Sequence, residues 1–325
     1  MNSKFLELKK MIDDANVIAL CAHINPDGDA IGSSSGLYHI LKNMGKDVHL
    51  IKNDEFPTNL EFIKDKTNYE DINLETDLFI VMDVADKKRI GNAIDVFEKS
   101  KKKVCIDHHQ TNGGFSDLDI IFPKESSTCE IIADICLSLG YDIPEDAATL
   151  LYLGITTDTN RFMYESTSPK TLRIAANLIE LGADKRLIID NLYEKLDMNY
   201  HLLQAKIMSE SEFLENGKIV LAKLTKETLE EYGLDFDKVE SLVSILKSID
   251  GVEVAVLVKE YGEFEQKISM RSKSFVNVSD IAREFGGGGH IRASGLTLNE
   301  NVDDAYSIIK KRMERFVNEG NISCK

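Results

Sequence analysis

Four short clusters in the first half of the chain have the residue types that bind metal ions. They are His23-Ile24-Asn25-Pro26-Asp27-Gly28-Asp29, Asp83, Asp107-His108-His109 and Asp158. Two divalent cations that share a carboxylate need roughly seven to nine oxygen and imidazole donors, and the clusters supply most of these. Any one of these residues alone is equally well explained as a surface aspartate or a hydrogen-bonded histidine. Together they predict a two-metal hydrolase site.

The spacing of three clusters supports one shared site. Apolar segments at 16–22, 77–82 and 103–106 have the pattern of buried parallel strands, and a cluster begins where each segment ends. Open α/β sheets bind ligands in the crevice outside the carboxyl ends of their strands. Chance placement would scatter the aspartates and histidines instead.

The elements around these segments predict a doubly wound, mainly parallel α/β sheet in the N-terminal half. Helices are predicted at 30–44 and 86–99, and a further strand at 47–52. From residue 126 the pattern becomes helical. We expect a capping box at Ser127-Thr128-Cys129-Glu130, helix starts at Pro144 and Ser168-Pro169, and a helix that ends near Thr156, just before Asp158.

The rest of the chain predicts a linker and a second domain. Residues 184–212 are rich in helix formers and contain no glycine or proline, so one connecting helix is expected. Beyond it, a smaller α/β domain is predicted. The expected boundaries are 1–185 for the metal-binding domain, 186–215 for the helical linker and 216–325 for the C-terminal domain. The predicted elements of that domain are strands at 218–224, 252–258 and 264–270 and helices at 239–249 and 302–316.

Composition limits the class of protein. The 325 residues are 43% hydrophobic, enough for folded cores in two domains, and no apolar run is long enough to span a bilayer. Without a signal-peptide core, we expect a soluble cytoplasmic protein with no membrane partner. Five cysteines lack a Cys-x-x-Cys pair, which favours reduced thiols (Cys21, Cys105, Cys129, Cys136 and Cys324). The formal net charge of −16 argues against long nucleic acid as a partner.

A glycine run and a basic segment stand out in the C-terminal domain. Four glycines, 286–289, precede His290, and the stretch 266–292 carries five basic and two acidic side chains. Consecutive glycines expose backbone N–H groups that suit a phosphate. A flexible linker is the alternative for the glycines, although such linkers more often contain serine. On charge alone, a solvated basic face explains the basic segment better than a phosphate pocket.

The chain resembles the DHH-family phosphoesterases with a DHH-associated C-terminal domain. Within that family it is similar to the group of oligoribonucleases (nano-RNases) that also hydrolyse adenosine 3′,5′-bisphosphate (pAp). The resemblance covers nearly the whole chain. It rests on His23-x-x-x-Asp27-x-Asp29, Asp83, Asp107-His108-His109, Thr157-Asp158-Thr159, and the glycine run with His290 and Ala293-Ser294-Gly295. One departure is Asn160-Arg161, where many family members carry glycine; asparagine tolerates left-handed backbone angles.

The resemblance implies two divalent cations, with manganese expected and magnesium or cobalt as substitutes. It assigns His23, Asp27 and Asp83 to one cation. Asp83 would bridge to the second cation, whose other ligands would be Asp29, His108 and Asp158.

The resemblance also implies contacts with the substrate. His109 would contact the scissile phosphate and help the leaving oxygen, Asn25 would be a further phosphate contact, and Asp107 would orient a histidine. Arg161 would reach a substrate phosphate. The far end of the substrate would be held in the C-terminal domain by Arg271, Gly287, Gly288, Gly289 and His290.

The activity implied is two-metal hydrolysis of short oligoribonucleotides, including linear dinucleotides, to mononucleotides, and of pAp to AMP. The sequence keeps three alternatives open: a cyclic dinucleotide (c-di-AMP) phosphodiesterase, an inorganic pyrophosphatase or exopolyphosphatase, and a non-catalytic nucleotide-binding regulatory protein. Base preference, the direction of degradation, and the choice between monomer and homodimer stay open as well.

Overall fold

The apolar segments that precede the aspartate and histidine clusters form neighbouring strands of a parallel sheet. The structure is a computed structural model that describes residues 2–71, 75–195, 197–239 and 241–316. The chain divides into two compact units, Met1–Lys195 and Leu196–Lys325, and each contains a sheet of its own. The predicted α/β class is confirmed.

The sheet of the first unit is six-stranded within the described residues, and all its neighbouring strands are parallel. Its strands are β1 (Val17–Cys21), β2 (Asp47–Ile51), β3 (Tyr69–Glu70), β4 (Leu78–Met82), β5 (Lys102–Asp107) and β6 (Leu118–Ile121). Their order is β3-β2-β1-β4-β5-β6. From β1 the following strands are added on one side of the sheet, and from β4 they are added on the other side. This reversal of the strand order creates a crevice at the carboxyl ends of β1 and β4.

Helices cover this sheet and explain why its strands are continuously apolar. Ile18 and Leu20 of β1 pack into one hydrophobic core, while Ala19 and Cys21 pack into another. Because successive side chains of a strand point to opposite faces, both faces of the sheet are buried. The α-helices of this unit are α1 (Ser3–Asp14), α2 (Gly28–Asn43), α3 (Ile94–Lys99), α4 (Thr128–Leu139), α5 (Glu145–Asp158), α6 (Pro169–Glu180) and α7 (Lys185–Tyr193).

Three details of the predicted helices are wrong. The helix expected at 86–99 is a 3-10 helix, Lys87–Ala93, followed by α3, because Gly91 has φ 63° and ψ −136° and interrupts it. Asp158 is the last residue of α5 rather than a residue beyond it. The capping box at Ser127 is only half formed: its side chain accepts from the Glu130 N–H, but the Glu130 carboxylate accepts from Ser126.

The single connecting helix expected at 184–212 is two helices. Helix α7 ends at Tyr193, and α8 (Met198–Glu210) begins after Asp197, whose side chain caps it by accepting from the Asn199 N–H. The aspartate is a strong helix start signal, which explains the interruption. The functional domain boundaries at 185 and 215 stay a prediction.

The second unit contains a mixed sheet and four further α-helices within the described residues. Its strands are β7 (Glu212–Leu214), β8 (Ile219–Leu224), β9 (Val254–Gly262), β10 (Glu265–Ser272), β11 (Gly288–His290) and β12 (Ala293–Leu298), in the order β11-β12-β10-β9-β8-β7. Only β8 and β9 pair in parallel among these described strands. The helices are α9 (Lys226–Glu231), α10 (Leu242–Ser248), α11 (Val278–Glu284) and α12 (Val302–Phe316).

The glycine run is not a loop throughout. Gly288 and Gly289 belong to β11, which pairs with β12 at the edge of the sheet. None of the described helices is long and apolar enough to cross a membrane. Four cysteines in the described part are free and buried, and Cys324 lies outside it.

Candidate metal centre

The carboxyl ends of three neighbouring strands carry the central residues of the predicted site. His23 follows β1 by two residues, Asp83 directly follows β4, and His108 directly follows β5. Asp29 lies in the first turn of α2, and Asp158 ends α5. The structure therefore brings together residues that are up to 135 positions apart in the chain, from His23 to Asp158.

Asp83 lies at the middle of this group. Its Oδ2 is 3.3 Å from His23 Nε2, and its Oδ1 is 3.6 Å from His108 Nε2. Asp83 also has a left-handed backbone, with φ 59°, which turns the chain sharply at the end of β4. Each carboxylate oxygen thus faces a different histidine, an arrangement that suits a carboxylate shared by two cations.

The ligand atoms form two groups around Asp83. Those of His23, Asp27 and Asp83 all lie within 4.8 Å of one another. The same holds for Asp29, His108 and Asp158, where His108 Nε2 is 3.2 Å from Asp158 Oδ2. The two groups contain the residues that the family resemblance assigns to two cations, and the ligand assignment stays a prediction.

Backbone groups and close helix packing hold Asp29 in place. Its carboxylate accepts the N–H groups of Thr128 at 2.7 Å and Cys129 at 2.9 Å, at the start of α4. A Cβ added at Gly154 of α5 would lie 2.8 Å from Asp29 Oδ1 and 2.2 Å from the Cys129 sulfur. Only glycine at this position lets α5 approach closely enough to bring Asp158 beside Asp29.

The electrostatics of the group favour a bound cation. Burial, together with the negative charges of Asp83 and Asp158, raises the pKa of Asp29 well above its ordinary value. Burial also raises the pKa of Asp158. Cations would relieve this repulsion, and oxygen and imidazole donors suit manganese or magnesium better than a soft metal. Burial and the negative charge of Asp29 raise the pKa of the Cys129 thiol well above its ordinary value.

Asp107 orients His109 beside this group. Its Oδ1 lies 2.7 Å from His109 Nδ1 and also accepts the N–H of His108 at 2.8 Å. Burial lowers the pKa of His109, but the Asp107 hydrogen bond and the charges of Asp83 and Asp107 outweigh burial and raise it. The Asp107 contact therefore fixes the orientation of the His109 ring.

Sequence reasoning missed three side chains that contact this group. Arg89 Nη2 lies 3.0 Å from His23 Nδ1, Thr128 Oγ1 donates to Asp83 Oδ1 at 3.2 Å, and Asn112 Nδ2 donates to Asp107 Oδ2 at 2.8 Å. Thr128 belongs to the predicted capping box, so its helix N-terminal position was visible in the sequence. No sequence signal distinguishes Arg89 or Asn112 from ordinary surface residues.

Asn25 and Arg161 lie on strained turns of the first unit. Asn25 has φ 52°, and its N–H donates to Asp54 Oδ2 at 2.6 Å. Asn160 has φ 47°, so it adopts the left-handed conformation expected for it, and Arg161 has φ 61°. The Arg161 guanidinium lies 4.8 Å from the centre of the Tyr193 ring. A contact of Arg161 with phosphate stays a prediction.

The predicted substrate residues of the second unit lie on β10, β11 and the adjoining turn. A Cβ added at Gly287 would lie 2.3 Å from the Gly295 carbonyl oxygen, and Gly289 has φ 135°. Gly288 has open space where a Cβ would be, and both it and His290 are exposed. Arg271 donates to the Met270 carbonyl at 3.0 Å. Gly287 and Gly289 are thus required by the glycine hairpin, which consists of β11, β12 and the adjoining turn.

The basic segment around them is not one pocket. Arg292 donates to the backbone carbonyls of Val276, at 2.7 Å, and Ser274. Arg283 pairs with Asp280 at 3.0 Å. These two of the five basic residues act in local structure.

Comparisons with known proteins identify the family of this chain. Residues 17–155 match the model of the DHH family, N-terminal domain, and residues 216–317 match that of the DHHA1 domain. The bifunctional oligoribonuclease and PAP phosphatase NrnA of Thermus thermophilus is 32% identical over 89% of this chain and 86% of that protein. The bifunctional oligoribonuclease and PAP phosphatase NrnA of Bacillus subtilis is 30% identical over 90% of this chain and 92% of that protein. The chain belongs to the DHH family.

A solved structure supports the same assignment for this DHH-family chain. An exopolyphosphatase-related protein from Bacteroides fragilis superposes with a TM-score of 0.89 and 30% identity, over 97% of this chain and 96% of that one. A more distant relative, the cyclic-di-AMP phosphodiesterase PdeA of Listeria monocytogenes, is 25% identical over 90% of this chain but only 46% of its own length. DHH phosphoesterases are metal-dependent, and this chain has candidate metal-binding groups in the expected place.

Proposed function

We propose that the chain is a metal-dependent phosphoesterase that hydrolyses short oligoribonucleotides to mononucleotides and pAp to AMP. The observation that carries the proposal is the position of Asp83, with one carboxylate oxygen towards each of two histidine and aspartate groups. The relatives named as oligoribonuclease and PAP phosphatase match nearly the full length of the chain and supply the substrate class.

The cofactor proposed is a pair of manganese ions, with magnesium or cobalt as substitutes. His23, Asp27 and Asp83 would hold one ion, and Asp83, Asp29, His108 and Asp158 the other. When bound, such a pair lowers the pKa of a water molecule and neutralises charge on a phosphoryl group.

The chain's own side chains would act on the substrate around the metals. Asp107 fixes the ring of His109, and the oriented ring would hydrogen-bond a phosphoryl or leaving oxygen of the bound substrate. Asn25 would add a further phosphate contact. Arg161 and the second-unit residues Arg271, Gly287 to Gly289 and His290 would bind the remainder of the substrate.

Length selection is part of the proposal. A formal net charge of −16 repels a long polyanion and reduces the gain from counterion release, whereas a fragment of a few nucleotides is held mainly by local contacts. We therefore propose linear dinucleotides, short RNA fragments and pAp as the substrates, and no long nucleic acid. Turnover of a long single strand at the rate of a dinucleotide would contradict this.

The first experiment measures manganese-dependent turnover of a linear diribonucleotide, pAp, cyclic di-AMP and polyphosphate side by side. We expect mononucleotide from the dinucleotide and AMP with free phosphate from pAp. Asp83→Asn should abolish both reactions, and Asp95→Asn, an exposed aspartate of α3, should not. Absence of both reactions in the wild-type protein would refute the proposal, and intact metal binding without any turnover would favour a nucleotide-binding regulatory protein.

A cyclic dinucleotide phosphodiesterase is the second candidate, because PdeA is a relative across 90% of this chain. Cyclic di-AMP as the fastest substrate would favour it. Fast polyphosphate turnover would instead favour an exopolyphosphatase.

A cytoplasmic location and a homodimer are further parts of the proposal. Light scattering during size-exclusion chromatography will distinguish the homodimer from a monomer.

A further inference from the structure

A small pocket of the first unit lies beside the metal-binding loop and has no role in the site described above. Its volume is about 220 Å³. Its lining includes Ala22, Pro26, Asn53, Phe56, Lys64 and Tyr69. Ala22 directly precedes His23, and Pro26 directly precedes Asp27, so the pocket and the candidate metal centre share one loop.

The pocket is joined to this loop by hydrogen bonds. Asn53 is buried, and its Nδ2 donates to the Ala22 carbonyl at 2.7 Å and to the Ile90 carbonyl at 3.2 Å. Next to it, the Asp54 carboxylate accepts the Asn25 N–H at 2.6 Å. A ligand in the pocket would therefore sit against the residues that position His23 and Asp27.

Two aromatic rings, together with Ala22 and Pro26, form the apolar part of the lining. The ring centres of Phe56 and Tyr69 are 6.3 Å apart with an interplanar angle of 64°. The Tyr69 hydroxyl bonds to Ser34 Oγ at 3.2 Å, which fixes the ring. Burial raises the pKa of Tyr69 to about 12, so the hydroxyl stays neutral. Both rings also contact the main hydrophobic core of the unit.

Charge in the lining favours a neutral ligand over a phosphate. Lys52 pairs with Glu55 at 3.2 Å, and Lys64 pairs with Glu61 at 2.7 Å. Asp54 and Glu55 also line the pocket. Since the lysines are balanced by carboxylates, an anion gains little there. The volume is below the roughly 300 Å³ at which pockets for drug-sized ligands begin, so a single ring system fits better than a dinucleotide.

We propose that this pocket binds the nucleobase of the substrate nucleotide at the metal centre. The inference rests on the proposed function, because it assigns a subsite to that reaction. A base is flat, neutral and of the right size, and aromatic side chains are the usual partners of unpaired bases. The oxygens of Asn53 and Thr67 in the lining can accept hydrogen bonds from the edge of the base.

The test compares pAp with ribose 3,5-bisphosphate, which has both phosphates but no base. The wild-type protein should prefer pAp in kcat/KM. Phe56→Ala should reduce this preference about tenfold, mainly through KM, because stacking of one base on an aromatic ring is worth about that much. The matched control is Phe62→Ala, a partly buried phenylalanine on the neighbouring 3-10 helix, which should keep the preference. Phe56→Leu should behave like Phe56→Ala while preserving apolar volume.

A binding experiment separates failure of the pocket from failure of the activity. The fluorescence of 2-aminopurine riboside 5′-monophosphate should be quenched on binding to the wild-type full chain and much less with Phe56→Leu. If wild-type protein hydrolyses pAp but Phe56→Ala and Phe56→Leu keep both the preference and the quenching, the pocket assignment is overturned and the activity stands. If the wild-type protein does not hydrolyse pAp, but quenches the fluorescence and the Phe56→Leu variant does not, the activity is refuted and the base-binding pocket stands.

Discussion

The candidate metal-binding edge of the first unit and the glycine hairpin of the second unit hold their side chains in different ways. His23, Asp83 and His108 are only 3%, 2% and 8% exposed, and both histidines lie within ion-pair distance of Asp83. On the hairpin, Gly288 and His290 are exposed. The hairpin's shape comes from strand pairing and from tight contacts at Gly287.

The difference shows two ways to build a binding surface. Buried strand ends are fixed by the core on both faces of a sheet, so side chains there can face each other despite like charges. An exposed edge strand is fixed by its backbone, so it can offer N–H groups but gives its side chains little support. We therefore expect changes at the metal edge to affect chemistry, and changes at the hairpin to affect stability first.

Among changes outside the two proposed ligand sets, the largest effect is expected for Asp107→Asn. It weakens the hydrogen bond that orients His109, so dinucleotide turnover should fall roughly 10- to 100-fold, as for other partners that orient site histidines. Manganese binding, measured by calorimetry, should be retained, because Asp107 is not in either proposed ligand set. Asp95→Asn serves as the control. Unchanged turnover would mean that the orientation of His109 has no part in the reaction.

Gly287→Ala tests whether the hairpin is held by close packing. Its Cβ would lie 2.3 Å from the Gly295 carbonyl, whereas a Cβ at Gly288 meets no atom within 4 Å. We expect Gly287→Ala to lower the free energy of unfolding by about 2 to 3 kcal/mol. Gly288→Ala should change it by less than about 0.5 kcal/mol. Equal values from chemical denaturation would contradict the packing argument.

Glu253→Gln tests a buried acid with a structural role in the second unit. Burial raises the pKa of Glu253, but hydrogen bonds from Val276, Ser274 and Phe275 outweigh burial and lower it below 4.5. The side chain is 4% exposed. We expect a loss of about 1 to 2 kcal/mol in unfolding free energy at pH 7.

The pH dependence of this loss has a defined sign. Because the folded pKa of Glu253 is depressed, its stabilisation is present above the unfolded value of 4.5 and disappears as the pH falls through the lower folded value. The difference between wild type and Glu253→Gln should therefore shrink below pH 4.5. Urea denaturation at several pH values measures it, with the exposed Glu265→Gln as control. A constant difference would show that the charge has no role.

The smallest effect is expected for Arg161→Ala. Loss of the contact with the Tyr193 ring should lower the unfolding free energy by about 0.5 to 1 kcal/mol. A KM increase for pAp well beyond tenfold would show that Arg161 also binds phosphate. Arg173→Ala, on the exposed side of α6, is the comparison. No change in either quantity would show that the ring contact is incidental.

Much of the first unit could be predicted because its signals are local. The apolar run ending at Met82 and the aspartate that follows it predicted both a strand and a ligand position. The glycine run was harder, because glycines fit a loop, a turn and an edge strand equally well. Gly288 and Gly289 became a strand only through pairing with β12. The interruption at Gly91 was missed for a similar reason, since propensity alone does not locate an interruption. The two-helix linker was missed although Asp197 is a helix start signal, because the absence of glycine and proline favoured a single helix.

The amino-acid sequence by itself determined which residue types occur at the ends of the buried strands, and therefore the chemistry at the sheet edge. Strand periodicity and motif spacing are properties of the chain, independent of any distant contact. Only the tertiary structure decided that each oxygen of Asp83 faces a different histidine, that Arg89 contacts His23, and that Phe56 and Tyr69 line a pocket beside Pro26. These relations depend on strand order and on packing between residues far apart in sequence, which no local pattern encodes.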